Sequence, residues 1–399
     1  MKTAALAFRY LWSRPLTALL NLLLLTLGLA SITFVLLTSE QVDRSFQRDL
    51  AGIDLVVGAK GSPLQLILAG VFHIDVPPGN IALDEVRKLE KNPLVAQVIP
   101  LSLGDAFRGY RIVGTTPDYL RHYAMKLARG TEWAKPMEVV LGAQAAAATG
   151  MDVGAAFKGS HGLAGGQDHD DSTYRVSGVL SPCGCVVDRL VVTATESVWE
   201  VHETKHGAMQ APGKDHDADR EVTIALVKYR SPMAAVSLPR LVNSTTRMQA
   251  ASPAIEVTRL LRLLGVGSEV LRGVGAVLLL TAALSVFIAL WGAVRERRAD
   301  LAMLRMLGAT PGKVAALLLC EAWWLALMAS VLGLAAGHLL TAGAGYLLAQ
   351  QNSLPVTGAD WLPAEWWIPV AALFVATLAA LVPAAVAYRV DVARLLNAR

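Results

Sequence analysis

Five of the chain's eight histidines, His161, His169, His202, His206 and His216, share one stretch with Asp168, Asp170, Asp171, Glu203, Asp215 and Asp217. Imidazole combined with carboxylate suits a borderline metal such as zinc. His202 and His206 are four residues apart, so a helix there would carry both imidazoles on one face, within reach of a single ion. The spacings form no closed set of four ligands, and the pieces GLAGGQDHDDSTY and VHETKHGAMQAPGKDHDAD also read as solvated acidic loops. Cys183 and Cys185, in SPCGCVVD, leave three fates open: a disulfide in an oxidising compartment, free thiols, or thiolates sharing a metal with the histidines. A one-residue spacer makes a tight loop, so a bridge here would be reducible rather than a strong staple. Cys320 reads as a small buried apolar residue. No nucleophile–base arrangement is recognisable, and no G-x-x-x-x-G-K-[ST] motif is present to cradle nucleotide phosphates, so the chain is expected to be non-catalytic.

A second group of residues suggests docking rather than catalysis. In the segment 295–313, Leu301, Leu304 and Leu307 recur at helical spacing, Gly308 stands where a helix ends and Pro311 prevents its continuation. Arg295, Arg297, Arg298, Arg305 and Lys313 make it basic. It reads either as an element that couples to a cytoplasmic partner or as an ordinary cation-rich loop between membrane spans. Glu321 follows close behind, and a carboxylate at the start of a span is either a functional group or a residue at head-group level.

The elements that must position these residues follow from hydropathy. The chain has 399 residues, of which 54% are hydrophobic and 17% charged, and its mean hydropathy is +0.45. Stretches at 15–37, 274–294, 322–348 and 366–388 contain no Lys, Arg, Asp or Glu, and each is long enough to cross a hydrocarbon core, which takes roughly 20 apolar residues. The first apolar run is too long for a signal peptide and lacks a clean cleavage site, so it reads as an uncleaved span. Cations flank the spans at Lys2, Arg9, Arg14, at 295–313, and at Arg389, Arg394 and Arg399, whereas 349–365 has neither Lys nor Arg. The rule that cations stay inside then places both termini in the cytoplasm. The expected order is a cytoplasmic N-terminus (1–14), span one (15–37, continuing as a stalk to about 50), a periplasmic domain (51–252), a stalk (253–273) and span two (274–294). A coupling loop (295–313), span three (314–348), a short periplasmic loop (349–365), span four (366–388) and a cytoplasmic tail (389–399) complete it. The net charge of +4 and pI near 9.0 are largely these topology-setting cations. No basic stripe interleaved with aromatics argues for nucleic acid. Trp323, Trp324, Trp361, Trp366 and Trp367 cluster at span ends, as interfacial anchors do.

The large segment between the first two spans reads as mixed α/β. Runs at 55–57, 95–99, 110–113, 174–179, 190–192 and 222–227 predict short strands, and 83–91, 143–149 and 233–244 predict helices. The apolar run 64–72 is too short to span a membrane and is expected to pack inside this domain. The whole is therefore an α-helical membrane protein with four transmembrane helices and a large mixed α/β periplasmic domain between helices 1 and 2.

ERRADLAMLRMLGATPGKVAALLLCEA after span two, PAAVAYRVDVARLL at the end and EVVLGAQAAAATGMDVGAAF in the domain resemble the FtsX/MacB-type permeases of ABC transporters, and the resemblance covers essentially the whole chain. It implies a bacterial inner-membrane, multi-pass permease without its own ATPase domain, working as a dimer with a second copy or a paralogue. ATP and Mg would sit on a separate cytoplasmic ATPase, whose closure is converted into motion of the periplasmic domain. Leu301, Leu304 and Leu307 would enter a groove on the ATPase, with Arg295, Arg298 and Arg305 meeting acidic groups around it. Periplasmic adaptors or binding proteins and membrane lipids are the further partners implied, and lipoproteins or lipids, peptides or drugs are the implied cargo. Zinc-linked transport is an alternative, since 54–75 also resembles a subgroup associated with metal handling. A signalling scaffold that activates a periplasmic hydrolase is another.

Overall fold

The computed structural model describes residues 3–13, 15–162, 168–206, 220–296, 303–350 and 356–388. In chain order its helices are α1 (Thr3–Leu11), α2 (Pro15–Leu50), α3 (Pro63–Gly70), α4 (Leu83–Glu90), α5 (Asp118–His122), α6 (Ala143–Thr149), α7 (Thr195–His206), α8 (Ala234–Thr245), α9 (Pro253–Glu296), α10 (Pro311–Gln350) and α11 (Trp367–Tyr388). The strands are β1 (Leu55–Ala59), β2 (Ile81–Ala82), β3 (Val95–Phe107), β4 (Tyr110–Thr115), β5 (Leu127–Gly130), β6 (Glu138–Leu141), β7 (Ala156–His161), β8 (Asp168–Leu180), β9 (Leu190–Ala194), β10 (Glu221–Val222), β11 (Ile224–Tyr229) and β12 (Met248–Ala251). They form two compact units. One comprises Met1–Val42, Leu264–Ala349 and Val356–Arg399; the other comprises Asp43–Leu263 with Gln350–Pro355.

The helical unit contains four stretches long and apolar enough to cross a membrane, Pro15–Leu50, Arg272–Glu296, Pro311–Leu348 and Pro363–Tyr388. Beyond the first apolar run α2 continues as one helix to Leu50, over the polar stretch expected to continue span one. Side-chain size sorts inward and outward faces. Ala282, Ala322, Ala326, Ala329, Ala372, Ala376 and Ala380 are buried in the helical core with Leu25, Leu29 and Val286. Leu19, Leu23, Leu280, Leu284, Val331, Leu339, Phe374 and Leu378 point outward. Lipid tails solvate leucine as well as a protein interior does, so helix association rests on close contact between small residues. The tightest contact is between α2 and α10. A Cβ on Gly333 would lie 2.6 Å from Leu29 Cβ, and one on Gly337 would lie 2.5 Å from Thr33 Cβ. Thr33 satisfies its own hydroxyl by donating to the Leu29 carbonyl at 2.9 Å.

In the other unit β-branched residues build one large sheet in the order β12-β1-β11-β3-β4-β9-β6-β8-β5, with β7 paired to β3 and β8. Every residue of β4 and of β9 is buried, and the two pair in parallel, as do β6 and β8. The remaining pairings are antiparallel. The expected strand at 222–227 is broken at Thr223: β10 pairs with β2, and β11 joins the large sheet. Thr223 marks the break with its side chain, whose Oγ1 accepts from the Leu103 N–H at 2.9 Å. The apolar run 64–72 lies mostly within α3, capped by Ser62 and started by Pro63, with Leu66, Ile67 and Ala69 buried. The strand, glycine, helix, glycine order within 138–157 is β6, Gly142, α6 and Gly150, the last left-handed at φ 69°.

Close packing at the α2–α10 contact makes a directional prediction. Gly337→Leu is expected to destabilise the helical unit by about 1–3 kcal/mol through overpacking. Gly343→Leu, on the same helix where nothing lies within 4 Å of the added Cβ, should be neutral or mildly stabilising. Thermal unfolding of the two variants in detergent checks this, and equal melting points would contradict the contact.

Candidate functional site

The segment expected to dock a partner is built from a helical turn and two terminators. The Leu307 N–H donates to the Met303 carbonyl at 3.0 Å, after which Ala309 N–H bonds back to Leu304 and Gly308 N–H to Arg305, each at 3.0 Å. That pair of bonds, with Gly308 at φ 91°, is the glycine-terminated helix end in which a left-handed residue satisfies the last carbonyls. The next helix starts at once: Lys313 N–H donates to the Thr310 carbonyl at 3.0 Å and Pro311 is the first residue of α10. Pro311 therefore opens a helix as well as barring the previous one.

The turn divides its side chains differently from the expected leucine face. Leu307 is 84% exposed, with Met303 and Met306 about half exposed beside it. Leu304, expected on the docking face with Leu307, instead packs against the helical core. The exposed apolar group is thus Met303, Met306 and Leu307; the two methionines were not singled out because the leucine spacing was the stronger pattern. Arg295 is exposed at the end of α9, and Arg305 is half buried. Arg298 and Leu301 lie outside the described residues.

Glu321 is buried on α10 and lines a cavity of about 50 Å³ with Tyr10, Thr17, Asn21, Ala289, Ala293 and other residues of α1, α2 and α9. The lining is mixed, with Tyr10, Thr17 and Asn21 among apolar residues, and Ser285 donates its hydroxyl to Asn21 Oδ1 at 2.5 Å. A carboxylate buried in a span helix is placed facing the helical core and away from lipid.

The sheet unit holds a second constellation that sequence reading missed. Its centre is the last turn of α2. Asp49 is buried, and its Oδ1 accepts from the Val186 N–H at 2.9 Å, while Arg48 and Arg189 supply compensating charge. Arg48 donates to the Gly184 carbonyl, and Tyr123 donates its hydroxyl to the Asp49 carbonyl at 2.9 Å. Cys183 and Cys185 are joined by a disulfide, so they are neither free thiols nor metal ligands. The loop they close is shaped by Asp188, whose carboxylate accepts from Cys183 N–H at 3.0 Å and Gly184 N–H at 2.7 Å. Gly184, at φ 64°, sits against Arg48 where a Cβ would lie 2.7 Å from a guanidinium nitrogen.

Close to this joint lie further buried polar groups. His73 Nε2 is 3.1 Å from the Tyr119 hydroxyl, and Arg111 donates to the Asp75 carbonyl at 2.7 Å. Burial, then the charges of Arg111 and Arg189, hold the His73 imidazole well below its ordinary pKa. Burial brings Arg111 down to about 10, partly offset by Asp75. These positions carry no local sequence signal, because burial of a polar side chain is decided by what folds over it.

Of the sequence-predicted metal ligands, His161 ends β7, His169 lies in β8, and His202 and His206 lie on α7. His216 lies outside the described residues. Among the described residues no group of three or more His, Cys, Asp and Glu forms a set able to hold a metal ion.

His73 predicts a pH dependence with a definite sign. The folded sheet unit keeps this imidazole neutral, whereas the unfolded chain protonates it near the ordinary value of 6.5. The stabilisation is complete above that pH and erodes as the pH falls, by up to about 1.4 kcal/mol per pH unit. His73 has φ 56°, which asparagine tolerates. His73→Asn should therefore fold and show a shallower loss of amide-exchange protection in the sheet between pH 7 and 5; an unchanged slope would remove His73 as the cause.

Comparison with known proteins agrees with both units. A family model for the MacB-like periplasmic core domain matches residues 18–235, and one for the FtsX-like permease C-terminal region matches residues 272–391. No curated protein matches the chain. Among solved structures, the periplasmic region of MacB from Actinobacillus actinomycetemcomitans is 15% identical, with a TM-score of 0.35, covering 53% of this chain and 95% of that one. The extracellular domain of the ABC-type transporter YknZ from Gram-positive bacteria is 12% identical, with a TM-score of 0.31, covering 50% and 99%. A domain of a permease protein from Porphyromonas gingivalis is 13% identical, with a TM-score of 0.29, covering 50% and 88%. With a MacB-like domain model spanning more than half of its residues and an FtsX-like model spanning the helices that follow, the chain belongs to the FtsX/MacB family of ABC transporter permeases.

Proposed function

We propose that this chain is the membrane subunit of an ABC transport complex in a bacterial inner membrane, with both termini in the cytoplasm, and that a separate ATPase docks on the turn that ends at Gly308. The observation that carries this reading is the exposed Met303, Met306 and Leu307 group, held on a firmly terminated helix between two membrane-length helices. Apolar side chains of this kind anchor in a groove, while cations such as Arg295 serve the rim. ATP and Mg belong to the partner. Closure of two ATPase copies would displace the docking turns of two permease copies and, through α2 and α9, the sheet domains. Cargo choice, among lipoproteins or lipids, peptides and drugs, then falls to the sheet domain with an adaptor or binding protein.

Met303→Asp combined with Leu307→Asp is expected to reduce co-purification of the ATPase, and its stimulation by the permease, by tenfold or more (about 1.4 kcal/mol or greater), with membrane insertion unchanged. Wild-type association in the double variant would show that the ATPase docks elsewhere.

A zinc-linked version of the same reading is favoured by one observation, the placement of His202 and His206 four apart on α7. Calorimetric titration of the full chain in nanodiscs with zinc, compared with His202→Ala and His206→Ala, decides it. Binding lost in the variants supports a zinc role; no binding to the wild type leaves lipids, peptides and drugs.

A further inference from the structure

The segment 356–366 is tied to two helices of the helical unit before it enters a third. Gln41 on α2 grips the backbone of Thr357 from both sides: its Nε2 donates to the Thr357 carbonyl and its Oε1 accepts from the Thr357 N–H, each at 2.8 Å. Gly345 on α10 and Gly358 in the segment make room for backbone contact, since a Cβ on Gly345 would overlap the Val356 carbonyl oxygen and one on Gly358 would overlap that of His338. His338 then holds the segment with its whole ring. Nδ1 is 2.8 Å from the Gly358 carbonyl oxygen, Nε2 is 2.8 Å from Glu365 Oε2, and the ring stacks on Trp361 at 5.3 Å and 11°. Glu365 is wholly buried, and its Oε1 accepts from the Leu362 N–H at 2.8 Å.

Counting protons shows what this arrangement requires. The Gly358 carbonyl can only accept, so Nδ1 carries a hydrogen. An ionised carboxylate can also only accept, so the contact from Nε2 to Oε2 needs one more proton. That proton makes the imidazole a donor at both nitrogens. Without that proton a nitrogen lone pair faces a buried carboxylate, an arrangement with no compensating partner.

We propose that protonated His338, donating to the Gly358 carbonyl and to the Glu365 carboxylate, latches the segment 356–366 onto α10, and that loss of this proton frees the segment from α10 and, through Thr357, loosens its hold on α2. Among the described residues Glu365 is the one ionisable group bonded to His338. Asp360 is exposed on the segment itself; α10 has Glu321 toward its other end; α11 has no ionisable side chain before Tyr388; and α2 meets the segment through uncharged Gln41, with Glu40, Asp43 and Arg44 beside it in sequence. The latch rests on the geometry of the helical unit alone and does not depend on the transport reading.

The test is amide hydrogen exchange of residues 356–366 in the full chain in lipid nanodiscs from pH 6 to 9, corrected for intrinsic rates. One proton bound per closed latch makes protection of the wild type fall by about tenfold per pH unit above the pH at which the imidazole of the opened segment gives up its proton, near the ordinary value of 6.5. Glu365→Gln supplies the hydrogen permanently: its amide can donate to neutral Nε2 while its oxygen keeps the Leu362 N–H. That variant should stay protected across the whole range, and His338→Ala should be unprotected throughout. A pH-independent wild type, or a Glu365→Gln profile that follows the wild type, would overturn the proposal.

Discussion

The approach of α2 to α10 sets the geometry of the helical unit. Gly333 and Gly337 present bare backbone where Leu29 and Thr33 cross them, and no larger side chain leaves room for that crossing. Since lipid gives no hydrophobic reward for bringing helices together, the attraction comes from contacts that only small residues allow. From that crossing onward α2 is positioned for its other work: Asn21 meets Ser285 below it, and Gln41 meets Thr357 above it. The alanine-lined core and the leucine-rich exterior follow the same logic, with bulk turned toward lipid and smallness toward neighbours.

At its far end the same helix meets a different solvent problem. Its last turn carries Asp49 into the sheet unit, where a bare carboxylate would be costly, and the fold answers with the Val186 N–H and the charges of Arg48 and Arg189. The Val186 N–H lies just beyond the loop closed by Cys183 and Cys185, and Arg48 donates to the Gly184 carbonyl within that loop. That loop is shaped by Asp188 through two backbone N–H groups. Hydrogen bonds to charged groups are directional, in contrast to apolar packing, and fix the last turn of α2 within the sheet unit. His73 and Arg111 extend the buried polar region, with the imidazole kept neutral by burial and by neighbouring cations.

The turn that ends at Gly308 shows how a short segment can present a fixed apolar group without a large fold behind it. Gly308 ends one helix, Thr310 and Pro311 begin the next, and Leu304 anchors the turn to the helical core. Leu307, Met303 and Met306 are then free to face a partner. Methionine adapts its shape to a partner surface more readily than branched residues do, which suits the docking role proposed for this turn.

Local chemistry in the sequence determined the four membrane-length helices, because lipid demands long uncharged runs. It likewise determined the break at Gly308, the start at Pro311, the glycine-bracketed helix α6 and most of the β-branched strands, each of which depends on neighbours a few residues away. The tertiary structure alone decided that Leu304 turns inward while Met303 turns outward, since helical spacing defines a face but not what covers it. It also decided the disulfide among the three fates open to Cys183 and Cys185, the break at Thr223, and the parallel pairing of β4 with β9. The burial of Asp49, His73 and Arg111 and the grip of Gln41 and His338 on one short segment belong to the same class. All of these join residues far apart in the chain, where no local propensity reaches and only the assembled packing selects the partner.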